Sequence, residues 1–166
     1  MAAPLVIWLE TSHHAAFRMA GWAHVRADGG AVAGWAGGDR RMDAERTALS
    51  GLLAALRDLP PARPVRLLTA SPLVAAIPAR IAAAKAGDDP PTDNLDLWAQ
   101  AMKVLAAGPV QIERAAREPA GIPEFAAAWA EFARDKAKDK GPFTSAIPKP
   151  NLAKLDVRAA MGEIGA

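Results

Sequence analysis

The order of strand-like and helix-like segments restricts the fold of this chain more than any other feature of its sequence. An apolar run at residues 4–10, PLVIWLE, predicts a central strand with Glu10 at its C-terminal end. Residues 19–37 predict two antiparallel strands, because alternating positions flank a DGG turn at 28–30. The first third of the chain is therefore predicted to be three strands.

Helices then alternate with two further strands. The later elements are predicted at 43–59 (helix), 65–70 (strand), 71–85 (short helix, broken near Pro78), 94–107 (helix), 110–116 (strand) and 123–140 (helix). The order β-β-β-α-β-α-α-β-α predicts an α/β fold with one mixed five-stranded sheet and helices on both faces. The strands at 4–10 and 65–70 are expected to be neighbours near the middle of that sheet.

The composition changes after Gly141. The segment GPFTSAIPKPN, at 141–151, is rich in proline and small residues and predicts an extended linker. Residues 152–166 have the apolar spacing of a short amphipathic helix. We therefore predict a domain at 1–140, followed at 141–166 by a proline-rich linker and a tail. The tail is either loosely ordered or docked on this protein or on a partner.

Several classes of protein are disfavoured by composition. The chain has no cysteine, which excludes disulfides, thiolate nucleophiles and cysteine-based zinc sites and fits a cytoplasmic location. The N-terminus MAAPLVIWLE lacks the basic region of a signal peptide, and no run approaches the roughly 18 apolar residues of a membrane helix. The formal net charge of +2 permits, but does not require, a polyanionic partner.

Five segments resemble motifs of the ribonuclease H type 1 family. WLETS, at 8–12, lies where the family has a strand ending in Asp-Gly-Ser, and 43–59 resembles its Arg-Met-Glu-Leu helix. LLTASPLV, at 67–74, is similar to its Thr-Asp-Ser-x-x-Val corner, and DNLDLWAQAM, at 93–102, to its Asn-x-Asp-Leu-Trp helix. The stretch 118–134 resembles its last motif, His-x-Gly-x-x-x-Asn-x-x-x-Asp-x-x-Ala. The resemblance implies a ribonuclease H-like fold.

That family hydrolyses phosphodiesters with two divalent cations, Mg²⁺ or Mn²⁺, held between four carboxylates. The resemblance, over residues 4–137, places at those four positions Glu10, Glu45, Ala70 and Trp129, with Pro119 at the position of the family's mobile histidine. Ala70 and Trp129 offer no carboxylate, and Glu10 is one methylene longer than the family's aspartate. The resemblance therefore implies a vestigial site with no metal and no catalysis, and Mg²⁺ or Mn²⁺ matters only if activity is retained.

Nearby acidic residues offer an alternative in which a metal site is rebuilt. The candidates are Asp39, Asp43, Glu118 and Glu124. The segment DRRMDAE can also be aligned with the family in two ways near Asp43 and Glu45, although neither alignment replaces Ala70.

Basic and aromatic residues supply candidates for nucleic-acid contact. The arginines that could line one face and contact phosphates are Arg18, Arg40, Arg41 and Arg117, and solvated surface arginines are the alternative. Trp22 and Trp35, on the predicted hairpin, are candidates for base stacking or simply residues of the sheet face. Adjacent His13 and His14 point to different sides, which disfavours a shared metal.

Three functions remain open at this point. The first, which we predict, is a catalytically inactive module that binds RNA/DNA hybrid or another duplex through shape and phosphates. The second is a protein-interaction scaffold that uses the overwritten cleft or residues 141–166. The third is a weak, metal-dependent hybrid ribonuclease that uses substitute ligands.

Overall fold

A computed structural model describes residues 3–117 and 121–165, and its strands form one mixed sheet. The strands are β1 (Leu5–His14), β2 (Met19–Asp28), β3 (Ala31–Asp39), β4 (Val65–Thr69), β5 (Val110–Arg114) and β6 (Phe143–Ala146). Their order across the sheet is β5-β4-β1-β2-β3-β6. Strand β1 pairs antiparallel with β2 and parallel with β4. The predicted α/β class and the central pairing of the first and fourth strands are therefore confirmed.

The predicted count of five strands is one short within the described residues. Strand β6 pairs antiparallel with β3, with Gly37 opposite Thr144. This strand lies in the segment predicted to be an extended linker, so that prediction is wrong for 143–146. Pairing satisfies backbone groups of β3 that an open sheet edge would expose. Pro142 directly precedes β6, and the Ile147 N–H, just after the strand, donates to the Gly34 carbonyl of β3 at 2.8 Å.

Helices cover both faces of the sheet. They are α1 (Ala44–Ala55), α2 (Pro72–Ala75), α3 (Ile77–Lys85), α4 (Leu95–Ala106), α5 (Ile122–Lys140), α6 (Lys149–Leu152) and α7 (Val157–Gly165). Asp43 caps α1, because its side chain accepts a hydrogen bond from the Arg46 N–H at 2.6 Å. The break between α2 and α3 lies at Ala76, and Pro78 belongs to the first turn of α3, where proline is tolerated.

The two faces of β1 carry two separate apolar clusters. Leu5, Ile7 and Leu9 pack with α1 and α4, whereas Val6 and Trp8 pack with α5. Burial on both faces is what a central strand requires. Helix α5 approaches the sheet through four buried alanines, Ala126, Ala130, Ala133 and Ala137. A side chain at Gly21 of β2 would collide with the backbone of this helix.

Residues after β6 return across the face that α5 covers. Ile147 and Leu152 are buried in the same cluster as Trp8. Near the end of α7, the Ile164 carbonyl accepts a hydrogen bond from Arg66 of β4 at 3.1 Å. The C-terminal residues therefore dock on this protein's own sheet. No helix in the described part of the chain has the length and apolar character needed to cross a membrane.

Candidate functional site

Strand β1 and the end of β4 meet at the corner where the resemblance places the vestigial site. Glu10 points into the α5 side of the sheet and is only 1% exposed. Its Oε2 accepts a hydrogen bond from the Ala70 N–H at 2.8 Å. Its Oε1 accepts one from Arg117 Nη2 at 3.2 Å. The structure therefore brings Glu10 and Ala70 together and adds Arg117 to them.

Arg117 supplies the positive charge that faces this buried carboxylate. Burial raises the pKa of Glu10, and the hydrogen bonds from Ala70 and Arg117 oppose that effect only in part. The carboxylate of Glu124 raises the same pKa further through like-charge repulsion. At this corner the Arg117 guanidinium therefore contacts the buried carboxyl group of Glu10.

The Ala70 turn is held by hydrogen bonds of its own backbone and neighbours. The Ala70 carbonyl accepts a hydrogen bond from Arg114 Nε at 3.2 Å. Thr69 Oγ1 accepts one from the Ser71 N–H at 3.0 Å, and Ser71 Oγ caps α2 by accepting from Val74 at 3.3 Å. The corner therefore keeps a defined strand-to-helix geometry although its side chain carries no functional group.

Glu45, in the first turn of α1, belongs to a different network. Its Oε2 accepts a hydrogen bond from Asn94 Nδ2 at 3.0 Å, and its Oε1 lies 3.8 Å from Arg80 Nη1. Asn94 also donates to Asp43 at 3.3 Å. In the described part of the chain, no hydrogen bond links Glu45 to Glu10. This network instead ties the N-terminus of α1 to that of α4.

Trp129 of α5 makes aromatic and apolar packing contacts. Its ring makes an edge contact with Phe132 at 5.5 Å between centroids and a tilted contact with Phe125 at 6.3 Å. It is partly buried against the cluster that contains Trp8. The groups that hydrogen-bond to Glu10 are Ala70 and Arg117. The other two predicted site residues here, Glu118 and Pro119, lie outside the described residues.

The residues at this corner do not fit a pair of divalent cations. Among residues 3–117 and 121–165, no three histidine, aspartate or glutamate side chains converge closely enough to hold a metal ion. Asp39 accepts from the Arg40 N–H at 2.7 Å, Asp43 caps α1, and Glu124 is exposed. Hard cations need several oxygen ligands around one point. Here a single buried carboxylate faces an arginine instead.

A basic groove lies beyond the far end of β1. Its cavity has a volume of about 990 Å³. Five cationic side chains line this cavity, and we call the surface that they form the basic groove: Arg18, Arg40, Arg41, Arg134 and Lys138. The carboxylates of Asp39 and Asp135 line the same cavity. Three of the four predicted arginines therefore converge, whereas the fourth, Arg117, is paired with Glu10 instead.

Two loops and one helix build this groove. The β1–β2 turn supplies Arg18, and the loop before α1 supplies Arg40 and Arg41. The two loops are joined because the Met42 N–H donates to the Arg18 carbonyl at 2.8 Å and the Met42 carbonyl lies 2.8 Å from His13 Nε2. His13 is thus engaged in a structural contact.

Sequence reasoning missed the contribution of α5 to the groove. The mixed-charge segment at 133–141 predicts only a solvated helix end, yet Arg134 and Lys138 line the cavity. Their spacing of four residues, which places them on one side of a helix, is the signal that was present. Arg134 donates to Ser12 Oγ at 3.0 Å and pairs with Asp135 at 2.9 Å.

Comparisons with known proteins give matches by structure and not by sequence. No family model matches this chain, and no curated protein matches it. The N-terminal RNase H domain of Rv2228c from Mycobacterium tuberculosis is 22% identical, with a TM-score of 0.63 over 84% of this chain and 99% of that one.

Two further solved structures are similar. LC9-RNase H1, a type 1 RNase H with the type 2 active-site motif, is 17% identical, with a TM-score of 0.68 over 87% of this chain and 79% of that one. LC11-RNase H1, solved in complex with an RNA/DNA hybrid, is 16% identical, with a TM-score of 0.63 over 81% of this chain and 99% of that one. This protein therefore has the ribonuclease H-like fold.

Proposed function

We propose that this protein binds RNA/DNA hybrid or another nucleic-acid duplex through the basic groove and does not hydrolyse it. The observations that carry the proposal are the convergence of Arg18, Arg40 and Arg41 in one groove and the pairing of Glu10 with Arg117 at the corner. The first feature supports binding, and the second argues against metal-dependent cleavage.

The groove offers cations that are free to contact phosphates. Arg18, Arg40, Arg41 and Lys138 form no ion pair with any residue in the described ranges, whereas Arg134 is paired with Asp135. Each phosphate that a protein cation neutralises releases counterions, so affinity falls as salt rises. Contacts of this kind fix the position of the backbone without reading sequence.

A hybrid is the first ligand to test because LC11-RNase H1, which shares this fold, is described in complex with one. Helices with A-form character are recognised through their shape, their phosphates and the 2′-hydroxyls rather than through base edges. Two loops and one side of α5 form the basic groove. This surface suits contact with the phosphate backbone of a duplex more than insertion of side chains between its strands.

The side chains at the corner do not favour hydrolysis. Two-metal cleavage needs carboxylates that hold both cations and a bound water made acidic by them. Ala70 and Trp129 supply no oxygen ligand, and both oxygens of Glu10 are already hydrogen-bonded. The pairing of Glu10 with a guanidinium takes the place of cation binding in this proposal.

Titration of a labelled hybrid, a DNA duplex and an RNA duplex at several salt concentrations tests the binding. We expect the affinity to fall with salt and to fall at least tenfold in Arg40→Gln/Arg41→Gln. The matched control is Lys85→Gln/Lys103→Gln, which removes two cations from α3 and α4 and should change little. Absence of binding by the wild type at low salt would refute the proposal.

A cleavage assay with the same hybrid in Mg²⁺ and in Mn²⁺ tests the second half of the proposal. We expect no product in either metal. Product that disappears in Glu45→Ala would show instead that substitute ligands retain a weak ribonuclease.

A further inference from the structure

A second cavity, on the face of the sheet opposite to α5, has no role in the proposed function. Its volume is about 250 Å³, and it lies between β2, β3 and the C-terminal end of α1. We call tryptophan pocket the surface formed by Trp22, His24, Arg26, Trp35 and Arg57. It contains both tryptophans that the sequence marks for stacking.

The sheet register explains why these side chains meet. In β2, alternate residues share a face, and His24 lies directly opposite Trp35 of β3. Trp22 lies opposite Gly37, where an added Cβ would come within 2.7 Å of the indole Nε1 of Trp22. Glycine at position 37 therefore leaves room for the indole to lie across the neighbouring strand.

The floor of the pocket is a buried histidine with unused hydrogen-bonding capacity. His24 is 4% exposed, and its Nδ1 has no hydrogen-bond partner among the described residues. Its ring stacks on Trp35 with centroids 5.4 Å apart. Burial and the Arg26 guanidinium lower the pKa of His24 to about 4, so the ring is neutral near pH 7. Buried polar atoms in native proteins normally have partners.

Two guanidiniums give the pocket a positive rim. The Arg26 Cζ lies 5.2 Å from the centroid of the Trp35 ring, which orients this cation against an aromatic wall. Arg57 is exposed at the end of α1. Within the described part of the chain neither arginine forms an ion pair, although the carboxylate of Asp58 also lines the cavity.

We propose that the tryptophan pocket binds a small planar aromatic anion. The ring would lie against Trp22 and Trp35, and its carboxylate or phosphate would contact Arg26 and Arg57. The volume is below the roughly 300–1,000 Å³ of common ligand pockets, which limits the enclosed part of the ligand to about one aromatic ring system. A nucleoside monophosphate and an aromatic carboxylic acid share this chemistry.

The pocket is independent of the basic groove. Its side chains face away from α5, whereas the groove takes Arg134 and Lys138 from α5 itself. Thr144 of β6 completes the rim, so the sixth strand contributes to this site as well as to the sheet. Binding of a small anion here therefore stands or falls separately from binding of a duplex.

Calorimetric titration of the full chain with two pairs of anionic and neutral probes tests the proposal. The pairs are indole-3-acetate with its isostere indole-3-acetamide, and adenosine 5′-monophosphate with adenosine, which lacks the phosphate. We expect at least one anion to bind with a stoichiometry of one, and its neutral counterpart to bind at least tenfold more weakly. Binding of only one anion identifies the source of the ligand. Failure of both, or equal binding of neutral and anionic probes, overturns the proposal.

Variants locate the binding. Arg26→Gln/Arg57→Gln should weaken binding of the anion at least tenfold and Trp35→Leu should abolish it, whereas Arg158→Gln on α7 is the charge control. If Trp35→Leu does not fold by circular dichroism, the arginine pair alone decides. Unchanged affinity in the arginine pair overturns the proposal. The groove variant Arg40→Gln/Arg41→Gln should leave this affinity unchanged, which separates a failure here from a failure of duplex binding.

Discussion

Among the described residues, each face of the sheet buries one ionisable side chain, Glu10 on one face and His24 on the other, and their surroundings differ. On the α5 face, Glu10 has a counter-ion, because Arg117 Nη2 lies 3.2 Å from its Oε1, although burial raises the pKa of Glu10. On the other face, His24 has Arg26 nearby but no counter-ion, and burial makes it neutral. His24 of β2 lies opposite Leu9 of β1, which is the residue directly before Glu10. The two ionisable side chains therefore lie at neighbouring positions of the sheet, on opposite faces.

The difference shows that an arginine can bind a ligand through its charge only if no group of the folded protein is already paired with it. Arg117 is used internally, because a buried carboxylate without a partner is strongly unfavourable. Arg26 lies near a group that becomes neutral instead, so its charge remains for a ligand. Arg18, Arg40 and Arg41 of the basic groove resemble Arg26 in this respect, whereas Arg134 is paired with Asp135. Counting basic residues in the sequence therefore overstates the charge available to a polyanion.

The largest expected effect comes from His24. A histidine whose pKa is lowered on folding stabilises the protein fully above its unfolded value of 6.5, and that stability is lost as pH falls through 6.5 towards about 4. By linkage the loss is about 3 kcal/mol. In urea unfolding, the free energy of unfolding should therefore decrease more between pH 7 and pH 4 for the wild type than for His24→Phe. The phenylalanine ring can stack on Trp35 but does not titrate. Parallel pH profiles of the two proteins would contradict this.

Removing the counter-ion of Glu10 should have the next largest effect. We expect Arg117→Ala to lower the free energy of unfolding by about 1–3 kcal/mol, less than for a fully buried pair because the Arg117 side chain is 44% exposed. Glu10→Gln/Arg117→Ala should recover part of the loss, because a neutral amide needs no cation. Chemical unfolding near pH 7 measures both, with Arg40→Ala as the control. Equal stability of Arg117→Ala and the wild type would show that the ion pair is incidental.

The pH dependence of this corner has the opposite sign to that of His24. The pKa of Glu10 is raised on folding, so the native state binds more protons than the unfolded state above the usual value of 4.5. The contribution of Glu10 to stability therefore decreases as pH rises from 4.5 through its folded pKa. As pH falls towards 4.5, the contribution of His24 to stability therefore decreases, whereas that of Glu10 increases.

Much of the fold could be predicted from the sequence, because most of its strands and helices show a local periodicity of apolar residues. The alternation in β2 and the leucine spacing of α1 depend on neighbours in the chain. Strand β6 has no such signal, since its four residues gain their pairing only from distant β3. The contact of Arg117 with Glu10 likewise joins residues far apart, from a loop without a repeating pattern. A protein partner for residues 141–166 stays a prediction.

Placing a carboxylate at position 70 should destabilise the corner. Ala70→Asp would place a second acid beside Glu10, whose pKa is already raised by burial. We expect a loss of about 1–2 kcal/mol in unfolding free energy that grows as pH rises, because like charges close together disfavour ionisation. Ala70→Asn is the control of similar size without charge. An Ala70→Asp protein that is as stable as the wild type and is stabilised further by Mn²⁺ would indicate that the corner still accommodates a cation.

The smallest expected effect distinguishes used from available arginines at the level of binding. Arg18→Ala, in the basic groove, should weaken hybrid binding about three- to tenfold and lower the salt slope by about 1, as expected for one phosphate contact. Arg114→Ala removes a guanidinium that is hydrogen-bonded to the Ala70 carbonyl at 3.2 Å, so the salt slope should stay the same. Anisotropy titrations of both variants over a range of salt concentrations measure the two slopes. If Arg114→Ala lowers the salt slope as much as Arg18→Ala does, then an arginine with an internal hydrogen bond still contacts phosphate. The distinction between the two kinds of arginine would then be wrong.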